Sequence, residues 1–131
     1  MGDRITVTVR GIDELVAAFD ESVTKLPEGA RKVVSKGALN IKTETRRRWQ
    51  GIAHAPRLPY SVTYDTWTRA GAVGAEIGPV DEPNNQGFLG RIIELGAEHN
   101  APIPALLPAL ALEEPRFLAA CENLLVDILP S

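Results

Sequence analysis

The sequence predicts an α+β fold, a small antiparallel sheet packed against a long helix and a C-terminal helix. Three observations carry that expectation. Ile5, Val7 and Val9 alternate with Thr6, Thr8 and Arg10, the period-two signature of a strand with one buried face. Tyr60–Trp67 and Val73–Ile77 are short β-branched and aromatic runs separated by a Gly71-containing turn, which reads as a hairpin. Two long stretches place apolar residues at helical spacing, one from about Glu28 to Gln50 and one from Leu106 almost to the C-terminus.

In chain order, Gly11 ends the first strand, and Ile12, Leu15, Val16, Phe19, Val23 and Leu26 predict an amphipathic helix that breaks at Pro27. The following helix has Ala30, Val33, Val34, Ala38, Ile41 and Trp49 as its apolar positions, with Gly37 and Thr45 in the same stripe. Gly51 to Pro59 shows no helical or strand period and reads as a mobile loop. Thr68 to Ala72 is taken as a five-residue hairpin turn, and Pro79 to Gln86 as a polar, turn-rich loop.

Gly87 to Leu110 organises the rest. A short apolar helix (Phe88, Leu89, Ile92, Ile93) is stopped by Gly96, turns through Glu98, His99 and Asn100, and re-enters apolar sequence through Pro102, Pro104 and Pro108. Pro115 either kinks the last helix or opens a final one. Glu94 has two readings, a solvent-facing helical residue or a carboxylate that pairs with a basic group across a subunit boundary. With 131 residues and no internal repeat or linker, one domain over 1–131 is expected.

Composition bears on function. Hydrophobic residues make up 44% and charged residues 24%, ordinary globular values. The single cysteine, Cys121, excludes an internal disulfide framework and fits an intracellular compartment. MGDRITVTVRG lacks the apolar run of a signal peptide, and no stretch is apolar enough to span a membrane, so a soluble protein is expected. His54 and His99 are far apart without a cysteine pair, and neither a G-x-S-x-G elbow nor a phosphate loop is present. No enzyme, metal, cofactor or small-molecule substrate is expected.

Charge is uneven. Lys25 to Arg48 holds eight basic residues against two acidic ones, whereas Glu76 to the end holds nine acidic against two basic. Opposed fields of this kind suit head-to-tail association. The run Arg46, Arg47, Arg48 beside Trp49 has three readings: a solvated helix end, a charged protein contact, or a phosphate-binding face from Lys42 to Trp49 of a small DNA-binding protein.

An ordered set of short motifs resembles the tail-completion, or head–tail joining, proteins of long-tailed bacteriophages and prophages. Gly11, Ile12, Asp13, Glu14 and Leu15 match the family's helix start, and a long basic helix and a hairpin follow. Glu94, Leu95 and Gly96 match the first three positions of its E-[FYL]-G-T/S corner, and Pro104, Pro108, Ala109 and Leu110 its proline-anchored last helix. The resemblance implies a structural virion protein, also described as a minor tail, neck or tail-terminator component. It would form a homo-oligomeric ring, plausibly of six subunits, at the neck or head-proximal end of the tail, assembled in the bacterial host cytoplasm. Neighbouring neck and tail-tube proteins would be its partners, and genomic DNA would pass through the lumen without sequence-specific binding. Contact surfaces are then expected at Glu94, Leu95, Gly96 and Pro104 in the corner, at Arg46, Arg47 and Arg48 on the basic helix, and at Arg57, Leu58 and Pro59 in the loop.

Overall fold

The computed structural model describes residues 4–10, 26–69 and 71–128. Its elements are β1 (Ile5–Arg10), α1 (Leu26–Arg48), a single helical turn α2 (Leu58–Ser61), β2 (Val62–Arg69), β3 (Ala72–Pro79), a 3-10 turn (Gly87–Leu89), α3 (Gly90–Leu95) and α4 (Leu106–Ile128). The α+β architecture is the one the sequence predicts. Up to Lys25, the helix expected from Ile12 lies outside the described residues.

The sheet is antiparallel with order β1-β3-β2. Val73, Ala75 and Ile77 of the central strand pair with Val9, Val7 and Ile5 on one side, and with Thr68, Thr66 and Tyr64 on the other. Directly opposed residues share a face, and all of this set except the exposed Thr66 and Thr68 join the core on which α1 packs. The other face is closed over Gly74 by the Trp67 ring, which touches the position a Cβ would take. The Arg69 guanidinium stacks on that ring, 4.9 Å from its centre.

Register corrects the turn. Arg69 pairs with Ala72, which leaves two residues for the connection where five were expected, and Gly71 supplies a left-handed backbone at φ +72°. The expected strand start is also displaced. Leu58–Ser61 is helical because Pro59 suits a first helical turn, and the Ser61 hydroxyl satisfies itself on the Leu58 carbonyl at 2.6 Å.

Arg4, just before β1, reaches across the central strand. It donates to the carbonyls of Glu76 (3.2 Å) and Thr63 (3.1 Å) and pairs with Asp65 at 3.4 Å. All three strands are therefore joined through one side chain.

α1 begins at Leu26, with Pro27 in the first turn where a missing N–H costs nothing; the sequence had suggested a break there. Glu28 near its N-terminus and Arg46, Arg47 and Arg48 in its last turn suit the helix dipole. Its buried stripe, Leu26, Ala30, Val34, Gly37, Ala38, Ile41 and Thr45, is rich in small residues. They let α4 approach closely: Leu124 lies against Gly29, and a Cβ on Gly37 would stand 3.0 Å from the Phe117 ring. Asn40 donates to both carboxylate oxygens of Glu113 at 3.1 Å. These contacts descend α4 as they climb α1, so the helices are antiparallel. Pro115 sits inside one continuous helix, on its exposed side, and leaves the Ala111 carbonyl without its usual i+4 donor. Among the described residues no helix is long and apolar enough to cross a membrane.

Candidate functional site: a capped corner with an exposed apolar rim

The corner between α3 and α4 is built around a buried carboxylate. Glu94 is 5% exposed. Its Oε1 accepts the backbone N–H groups of Ala105 and Leu106, both at 2.9 Å, and its Oε2 accepts that of Leu107 at 3.3 Å. A helix leaves its first N–H groups without intrahelical partners. Here Glu94 takes those of Leu106 and Leu107, Pro108 has none to offer, and Ala109 makes the first regular bond, to the Ala105 carbonyl at 2.9 Å. Negative charge at this end also suits the dipole. The solvent-facing reading of Glu94 is corrected: the carboxylate is buried and accepts hydrogen bonds from its own chain.

Gly96 makes the geometry attainable. Its φ of +82° favours glycine, and an added Cβ would lie 2.9 Å from Pro102 Cδ. Ala97 and Asn100 then exchange backbone hydrogen bonds at 2.9 and 3.1 Å, closing the turn that holds Glu98 and His99. The extended segment beyond it is pinned twice: Ile103 N–H donates to the Ile93 carbonyl at 2.7 Å, and its carbonyl accepts the Trp49 indole N–H at 2.8 Å. Pro104 lies exposed just before the helix.

Burial divides the apolar residues of the 3-10 turn and α3. Of the apolar residues, Ile93 is buried, while Phe88, Ile92 and Leu95 are 63, 46 and 54% exposed. These three fall at i, i+4 and i+7, one stripe facing outward. Ile103 and Leu107, on the far side of the corner, are exposed as well. Such a rim is more apolar than scattered surface leucines and is the kind of feature that marks protein contacts.

The basic helix end is occupied internally. Arg46 donates to the Val62 carbonyl at 3.0 Å, and Lys42 stands over the Tyr64 ring. Arg47 and Arg48 both bond to Glu44. The Arg47 hydrogen bond, with help from Arg48 and against some desolvation, holds the Glu44 carboxyl below its ordinary value; the same bond raises Arg47. Trp49 is fully buried, so the aromatic that a phosphate-binding face would stack on bases is core. The basic and acidic segments, pictured as meeting between subunits, already lie side by side in one chain as α1 and α4.

The loop from Gly51 to Pro59 is a chain of turns, with i→i−3 bonds from Ala55, Leu58 and Tyr60. Leu58 and Pro59 are buried and cannot serve as contact surface, a correction of the sequence reading. Arg57 remains exposed, its N–H donating to Gln86 Oε1 at 2.7 Å. Trp49, Ile52, Ala55 and Leu58 are all buried. That three-residue spacing was a legible signal, matching neither strand nor α-helix.

His54 and His99 are both exposed, and among the described residues no group of three or more His, Cys, Asp or Glu side chains could hold a metal ion. Cys121 is half-buried, and burial pushes its thiol up. Comparison with protein-family models, with curated proteins and with solved structures finds no match.

Proposed function

We propose that this chain is a structural subunit of the phage head–tail junction, assembling into a ring at the neck or head-proximal end of the tail. The capped corner carries this reading. Glu94, Gly96, Pro104 and Pro108 are among the residues on which the tail-completion resemblance rests, and they form one device: a carboxylate, a left-handed glycine and two prolines at the start of α4. A rigid corner edged by exposed Phe88, Ile92, Leu95 and Leu107 suits protein contact. Genomic DNA would pass such a ring without base recognition.

Native mass spectrometry across a salt series, with negative-stain imaging, tests the reading. A closed ring is the expected species. A chain that stays monomeric and binds duplex DNA with steep salt dependence, lost when Arg46, Arg47 and Arg48 are neutralised, would replace this reading with the nucleic-acid one.

A further inference from the structure

We infer that a second copy of this chain seats Phe88 in the groove between α1 and α4, a head-to-tail contact. The inference rests on the ring reading and names its interface.

Phe88 projects from a loop that is already built. The Asn85 side chain donates to the Val80 carbonyl at 2.8 Å and accepts the N–H groups of Glu82 and Gly87 at 3.2 and 2.9 Å. Gln86 is tied to Arg57. Little ordering is needed on binding, which favours such a projection as an anchor. Asp81 and Glu82 are exposed beside it and line the same hollow as Phe88 and Arg57.

The groove has the complementary chemistry. It is an open hollow of about 350 Å³, with Leu39 and Leu112, both partly exposed, as its apolar lining and Lys36 and Arg116 among its polar groups. Its two carboxylates are already engaged, Glu44 by Arg47 and Arg48, and Glu113 by Asn40 and, at 3.8 Å, by Arg116. With Arg116 set against Glu113, Lys36 and the two arginines on the single Glu44 carboxylate leave a positive balance for a partner, opposite in sign to the loop. Loop and groove share no residue, so one copy can use both at once. That is a heterologous contact, which closes into a ring when its rotation closes.

Sedimentation velocity of the full chain over a concentration series tests this with Phe88→Asp and Leu112→Asp. Both side chains are exposed, so circular dichroism should show wild-type folds. Each variant alone should self-associate at least about tenfold more weakly than wild type. Mixed one to one, they should form a heterodimer and nothing larger, since each retains one competent face. Variants that assemble like wild type, or that fail to pair on mixing, overturn this contact and leave the ring reading standing. A wild-type chain that is monomeric at every concentration overturns both.

Discussion

The indole N–H of Trp49 donates to the carbonyl of Ile103 at 2.8 Å, across 54 residues of sequence. It joins the end of α1 to the extended segment that sets up α4. The same residue is fully buried, so Trp49 is both core and connector.

Trp49→Phe should keep most of the packing and lose the donor, leaving a carbonyl unpaired. A loss of about 1–3 kcal/mol in urea unfolding is expected. Trp49→Ala adds a cavity and should cost about 3–5 kcal/mol. Equal losses for the two variants would mean that the hydrogen bond, and not the packing, accounts for the effect.

Glu94→Ala removes the acceptor for three backbone donors, two of them buried, and should destabilise by about 2–3 kcal/mol. Glu94→Gln keeps one carbonyl oxygen and should lose less. Hydrogen exchange offers a local check: the amides of Leu106 and Leu107 should lose protection before those in the middle of α4.

Gly96→Ala places a Cβ against Pro102 at a backbone angle that favours glycine. A cost above about 1 kcal/mol is expected, read as a lowered melting temperature. A neutral result would show that the corner relaxes easily.

Glu44 makes stability depend on acid in a defined direction. Its folded-state carboxyl lies below the ordinary value near 4.5, so its contribution is complete above that pH and is lost as pH falls through the folded value. Thermal melts of wild type and Glu44→Gln should differ at pH 6 and converge in acid below about 4.5. A difference that does not narrow as pH falls below about 4.5 would assign the effect to something other than this titration.

Much of the frame was legible because it rests on local patterns. The alternation of Ile5, Val7 and Val9 and the hairpin around Gly71 follow from side-chain period and turn chemistry, and both are present. The corner was legible as punctuation, through Gly96 and its prolines. Its chemistry was not, because the groups Glu94 binds lie 11 to 13 residues later, and a carboxylate inside an apolar run reads as a surface residue until its donors are known. Phe88 and Ile92 were legible as part of an apolar helix but not as its exposed side, because period identifies a stripe and not the direction it faces. The pairing of Arg47 and Arg48 with Glu44 was legible from their three- and four-residue spacing on one helix, whereas the acceptor of Arg46, the Val62 carbonyl, becomes a neighbour only on folding.

The reach of Arg4 over the central strand bears on the order in which the molecule forms. β2 and β3 are adjacent in sequence and can zip as a local hairpin, whereas β1 must find its partner across more than sixty residues of chain, a costlier loop to close. Arg4 has acceptors on both later strands, so it can engage fully only when they are already paired. On the ribosome the first strand to emerge is then the last to be seated. Pulse-labelled exchange during refolding should protect the amides of β2 before those of β1; the reverse order would rule this sequence of events out.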